Sequence, residues 1–212
     1  MYDLEDTIRE RYSTRLFLPD SVPRDLVQES LELAMRAPSN SNVQPWHMVF
    51  VSGAARDRLV TAMLDKARSE PPRVPELPAE FAHFRSDTGA HVYGSMGIAR
   101  HDSEAVLRNW EFFRALLGGI VCMHRDLGYA DSMGVGMFLQ TLLLALTARG
   151  LGTCVQVAIA GYPDVVREQL NIPPELNILC GLAIGYSDPD FPANNLHIGR
   201  DAVDRHVVFL DE

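Results

Sequence analysis

The chain has 212 residues, 47% hydrophobic and 22% charged, a balance that suits one globular domain with a real core and excludes a disordered chain. Its net charge of -9, with basic residues scattered rather than in runs, excludes a general nucleic-acid binder. Three cysteines, Cys122, Cys154 and Cys180, lie far apart in apolar runs without a CxxC spacing, so they read as buried thiols rather than a disulfide framework or a zinc site.

In chain order, the start Met1–Asp6 lacks a basic stretch followed by an apolar core, so a cytoplasmic protein is expected rather than a secreted one. Asp3 to Arg11 has helical spacing of Leu4, Ile8 and Tyr12, and Ser13 to Phe17 reads as extended. A helix opens at Pro23 and stops before Pro38. A turn-rich loop, Pro38–Asn42, leads into a strand at Met48–Val51. Ala54 to Ser69 is an amphipathic helix, followed by a loop stiffened by Pro71, Pro72, Pro75 and Pro78. Phe81 to Gly97 fits either a lid or a substrate-side helix. Ser103 to Leu117 is predicted helical and broken by Gly118 and Gly119, before a strand at Ile120–Met123. Asp131 to Arg149 is a helix apolar on nearly every side, with Asp131 capping it and Gly150 ending it. Its central run is slightly short for a membrane span, so it is expected in the middle of a fold or at a subunit interface. Thr153–Ile159 is extended, Pro163–Leu170 is a short helix, and Ile178–Ile184 is a strand. The segment beyond Tyr186 looks like an arm, with a final strand at Val203–Leu210. No G-x-G-x-x-G follows a strand, and the Gly134/Gly136 pair lies inside a helix, so a Rossmann domain is not indicated.

Two segments carry chemistry. In Arg11-Tyr12-Ser13-Thr14-Arg15, extended backbone turns residues 11, 13 and 15 to one side, and two guanidinium forks with a hydroxyl suit a phosphate. The plainer reading is a solvated charged surface. Ala37-Pro38-Ser39-Asn40-Ser41-Asn42-Val43-Gln44-Pro45-Trp46 concentrates amide and hydroxyl side chains that both donate and accept, as the edge of a flavin ring requires. The plainer reading there is a capped loop entering a strand. His83, His91, His101 and His124 lack metal-ligand spacing, and His101-Asp102 is a candidate for binding substrate acids. No catalytic nucleophile, acid or base can be assigned, and no metal site.

Together, Arg-x-Ser-x-Arg-x-Phe and Ala-Pro-Ser-x-x-Asn-x-Gln-Pro-Trp resemble the N-terminal signature of the nitroreductases that use flavin mononucleotide (FMN), in particular the branch that acts on nitrobenzoate. The likeness continues through Gly150–Cys154, Ala183–Tyr186 and Arg200. It implies an α+β three-layer sandwich with a mainly antiparallel central sheet flanked by helices. It also implies one domain over residues 1–212, with residues 70–105 as a variable substrate-side segment and 187–212 as a domain-swapped C-terminal arm in a homodimer. By the same likeness, Arg11, Tyr12 and Ser13 belong to the phosphate and ribityl side of FMN, and Arg15 to the pyrimidine side of the ring. Pro38, Ser39, Asn40 and Asn42 match a loop given by the other subunit. Val155, Gln156 and Val157 match a segment along the flavin near N5, and Asn109 a ring-contacting amide, with Arg108 as its fallback. Arg200 matches a late phosphate contact, assisted by His197. Relatives often have proline where this chain has Val155 and Leu116. The implied activity is ping-pong hydride transfer from NADH or NADPH to a nitroaromatic or quinone-type acceptor. Dehydrogenation, dehalogenation, alkene reduction and non-catalytic flavin storage are the alternatives.

Overall fold

The computed structural model describes residues 3–99 and 103–211. Its frame is a four-stranded sheet of β1 (Trp46–Ser52), β2 (Leu117–His124), β3 (Gly152–Gln156) and β4 (Leu176–Gly185), ordered β1-β2-β4-β3. All three pairings are antiparallel. Seven α-helices accompany it: α1 (Leu4–Glu10), α2 (Arg24–Ala34), α3 (Gly53–Ser69), α4 (Ala82–Ser95), α5 (Ser103–Leu107), α6 (Tyr129–Thr147) and α7 (Pro163–Leu170).

Alternation along the strands explains the layers. Ile120 and Cys122 of β2 pack with Leu59 and Met63 of α3 and Val166 of α7. On the other face, Leu182 and Ile184 of β4 pack with Ala34 of α2 and Phe138, Leu142 and Leu146 of α6. Because successive side chains point to opposite faces, a sheet apolar on both needs a helical layer on each. The result is the expected α+β three-layer arrangement.

Several expectations are corrected. The predicted helix from Ser103 to Leu117 stops at Leu107 and tightens into a 3-10 segment, Arg108–Arg114. There Phe112, Phe113 and Arg114 take left-handed backbone, with φ of 52°, 50° and 68°. That bend drives Phe112 into the core, where it is fully buried. Gly118 is not a helix breaker but a strand residue beneath this ring; a Cβ there would stand 3.0 Å from Phe112. The extended run at Thr153 ends at Gln156, and Val157–Gly161 is a 3-10 turn. Phe81–Gly97 resolves into α4. Asp131 lies in the first turn of α6 and accepts from the Gly128 N–H at 3.0 Å, so Gly128 holds the cap position itself. The final strand is absent: Val203–Arg205 is a 3-10 turn and residues 206–211 are irregular. A strand needs a partner strand, and this tail pairs with none of the four among the described residues.

Helix α6 is the element furthest from expectation. It is long and apolar enough to cross a membrane by length and composition, with mean hydropathy 1.3. Gly134, Val135, Phe138, Leu142 and Leu146 are buried, but Tyr129, Met133 and Met137 stand exposed on the other side. Within one chain it is therefore buried on one face, not all round.

Candidate active site

The segment Arg11–Phe17 lies along the outer edge of β3. Ser13 bridges Thr153, and the Thr14 N–H donates to the Thr153 carbonyl at 2.9 Å. Close approach depends on Gly152, where a Cβ would stand 2.5 Å from Thr14 Oγ1. The far end of the segment is fixed by the arm. Asn194, buried, accepts from the Arg15 N–H at 2.7 Å and donates to the Leu16 and Asp188 carbonyls at 2.8 and 2.9 Å. Tyr12 does not line the cavity described below; its hydroxyl lies 2.7 Å from Ser187 Oγ, so it ties the segment to the arm.

This docking gathers charge of one sign. The Arg11 pKa is lowered, first by burial and then by the charge of Arg200, so two residues far apart in sequence sit within electrostatic reach. Arg15 is fixed by donating to the Ser13 carbonyl at 3.0 Å, and Arg200 donates to the Ile198 and Gly199 carbonyls. Among the described residues none of the three forms an ion pair with a carboxylate. Partly buried like charges repel unless an anion lies between them. Cys154, behind them, is buried, and its thiol is pushed up to about 11 by that burial, which outweighs the pull of Arg15, Ser13 and Arg11. It stays protonated at neutral pH and is inert as a nucleophile. Burial likewise raises Cys122 to about 11 and Cys180 to about 12.

A cavity of about 870 Å³ opens beside Arg15 of this cluster, lined by Arg15, Asn109 and Val157 on one side and by residues of the 72–96 segment on the other. The roof is one face of α4: Phe84, Thr88, Val92 and Met96 recur at helical spacing. The proline loop is held by Arg73, which forms an ion pair with Asp164 and donates its N–H to the Gly161 carbonyl, and by the Tyr162 hydroxyl, which donates to the Glu70 carbonyl. The 3-10 bend at Arg108–Arg114 presents Asn109 to the cavity. The Asn109 carbonyl accepts from Gln156 Nε2 at 2.8 Å, so the bend and β3 are joined. Gln156 itself is 3% exposed and its Oε1 has no partner among the described residues, while Val155 and Val157 on either side are open. Of that trio only the valines are open, Val155 on β3 and Val157 at the start of the 3-10 turn.

The second motif lies elsewhere. Ser39 and Pro45 pack on Gly134 of α6, and Asn40 Nδ2 reaches Asp131 Oδ1 at 3.5 Å. Ser39 Oγ accepts from the Gln44 N–H, and Pro38 and Asn42 are exposed. Ser41, Asn42 and Gln44 hold left-handed backbone, with φ of 47°, 57° and 51°. Such conformations cost about 1–3 kcal/mol each and persist where the surroundings impose them. This loop enters β1, and β2 and β4 separate β1 from β3, a span of about 14 Å at the usual strand spacing. Within one chain the loop therefore stands across the sheet from Arg11, Ser13 and Arg15.

Asn194, a buried amide joining the Arg11–Phe17 segment to the arm, is a residue that sequence reasoning missed; its partners lie 178 and 179 residues away, so no local pattern points to it. His83, His91 and His197 are exposed and His124 is half-buried. His101 and Asp102, the suggested acid-binding pair, lie outside the described residues, among which no group of three potential metal ligands occurs.

Comparison with known proteins agrees with this geometry. The Nitroreductase family pattern matches residues 8–186. The chain is 33% identical to the nitrobenzene nitroreductase of Ectopseudomonas oleovorans, covering 99% of this chain and 97% of that protein. It is 35% identical to the 4-nitrobenzoate reductase of Nocardioides sp. (strain LMS-CY), covering 96% and 88%. The crystal structure of the FMN-dependent nitroreductase NfnB from Mycobacterium smegmatis, in complex with NADPH, superposes with a TM-score of 0.90 at 32% identity over 97% of both chains. Sequence, fold and site thus converge: the chain belongs to the nitroreductase family.

Proposed function

We propose that the protein is an FMN-dependent NAD(P)H oxidoreductase that reduces nitroaromatic or quinone-type acceptors, working as a homodimer in the cytoplasm. The observation that carries this reading is the cluster Arg11, Arg15 and Arg200, cationic and without a carboxylate of its own, beside an open cavity. The residues fit the cofactor: a phosphate dianion would offset the repulsion between Arg11 and Arg200, and Arg15 joins that cluster to a cavity of about 870 Å³, the size of a small-molecule site, on the acceptor side. Bound there, FMN supplies a centre that takes a hydride from the nicotinamide and hands two electrons to the acceptor.

The chain's own part is to bind, orient and shield. Arg11, Ser13 and Arg200 hold the phosphate end, with Tyr12 securing the segment through Ser187. Arg15 would supply positive charge beside the bound flavin, which favours its accepting a hydride. Val155, Gln156 and Val157 form the wall along the ring, with Gln156 bracing Asn109, and the 70–105 segment closes the acceptor side. No side chain is needed as a nucleophile.

Pro38, Ser39, Asn40 and Asn42 complete the site from a second copy, since in their own chain they stand across the sheet. Three further features support the homodimer. The exposed side of α6 is apolar, with Met133 60% exposed. The outer edge of β1 has no partner strand among the described residues, and a cleft of about 670 Å³ lined by Val22, Leu31, Phe50 and Leu117 lies beside it. The tail Val207–Leu210 is apolar yet 45% to 88% exposed, as an arm made to lie on another copy would be. In this reading residues 1–212 are one domain with a swapped arm at 187–212.

The test is spectroscopic. Purified protein should carry a yellow flavin whose visible band bleaches with NADH or NADPH under nitrogen and returns on adding a nitroaromatic. A yellow protein that neither nicotinamide bleaches would sink the reductase reading and leave flavin storage.

A further inference from the structure

The geometry points to Arg108 as the residue that selects acceptors carrying a carboxylate, so that the preferred substrates are aromatic acids rather than neutral nitroarenes. This rests on reading the cavity as the acceptor site. Among the described residues, the charged ones lining it are Arg15, Arg85 and Arg108 against one carboxylate, Glu76. A protein of net charge -9 thus keeps a cationic cavity. Arg15 faces the cofactor side and is fixed on the Ser13 carbonyl. Arg85 is exposed and donates to the Pro75 carbonyl at 3.3 Å.

Arg108 differs from both. It is half-buried, next to Asn109 on the 3-10 bend, with its guanidinium carbon 5.7 Å from the Phe191 ring centroid. Its Nη1 has only the Met96 sulfur, a weak acceptor, at 3.9 Å. Among the described residues it has no carboxylate. A guanidinium held between a roof methionine and an arm phenylalanine has lost part of its water and keeps free donors in a planar fork. The partner such a fork matches is a carboxylate in its plane, and the apolar walls around it suit a flat ring bearing that group.

Calorimetric titration of the FMN-loaded, oxidised protein with benzoate and with isosteric, neutral benzamide tests this without turnover. Benzoate should bind at least about tenfold more tightly, the scale of one partly screened charge-assisted contact. The preference should vanish in Arg108→Gln, persist in part in Arg108→Lys, and survive Arg85→Gln. Benzamide binding retained in Arg108→Gln shows the cavity intact, and if that variant does not fold the lysine variant carries the test. Equal binding of the two ligands, or a preference that survives Arg108→Gln, overturns the assignment. So does an Arg108→Gln effect that falls on kcat/KM for NADPH and not on the ratio of 4-nitrobenzoate to nitrobenzene. Failure of the function itself would show separately, as flavin that no nicotinamide reduces while benzoate still binds at Arg108.

Discussion

At the β3 edge of the sheet, Arg11–Phe17 is docked by backbone pairing, a buried asparagine and a glycine that admits Thr14, and it concentrates positive charge beside an open cavity. At the β1 edge no further strand pairs among the described residues, and the loop that feeds it holds three left-handed non-glycine residues, Ser41, Asn42 and Gln44, all exposed. The first edge is docked by local contacts, although Thr14 Oγ1, Thr153 Oγ1 and Gln156 Oε1 stay buried there without a partner among the described residues; the second keeps strained, exposed backbone. Strain of that kind persists when something outside rewards it. The comparison supports the proposed homodimer, in which one chain would hold half of each site and offer the other half to a second copy.

The largest effect should come from breaking the β1 side of this division. Met133→Glu places a charge on a face that is open in one chain and covered in a homodimer. An uncompensated buried charge costs several kcal/mol, about 3–5. Sedimentation should then show a monomer, and FMN should be lost from both sites with the fold retained by circular dichroism. A variant still dimeric and yellow would remove α6 from the interface. Next, Arg11→Gln should weaken FMN by about ten- to a hundredfold, read by fluorescence titration, because one charge-assisted phosphate contact goes. Unchanged affinity would break the assignment of the β3 edge to phosphate. The smallest effect is expected from Gly152→Ala. Its Cβ would meet Thr14 Oγ1, an overpacking worth about 1–3 kcal/mol. Melting should fall by about 2–4 °C per kcal/mol. A variant as stable as the parent would show that the segment docks more loosely than the contacts imply.

How much of this was legible beforehand varies with the range of the forces involved. The α+β layering follows from strand alternation and helical stripes, both local periodicities, so β1, β4, α3 and α7 fall close to where the residues predict. The bend at Phe112–Arg114 is not legible in the sequence, because nothing in Arg-Asn-Trp-Glu-Phe-Phe-Arg forbids a helix; the close packing of the buried Phe112 ring on Gly118 decides it. Gln156 belongs to the segment expected along the flavin, and its side chain donates to the Asn109 carbonyl, a partner 47 residues away that no local pattern announces.

By itself the sequence determined the residue types of the site: two forked cations and a hydroxyl at alternating positions, an amide-rich loop, and a helix with more apolar surface than one chain can bury. Periodicity and side-chain chemistry are properties of neighbours, so they survive without a fold. Only the tertiary structure brought Arg200 to Arg11, set Arg108 between Met96 and Phe191, and put the width of the sheet between the two N-terminal motifs. Those relations depend on strand order, which joins residues by packing rather than by proximity in the chain.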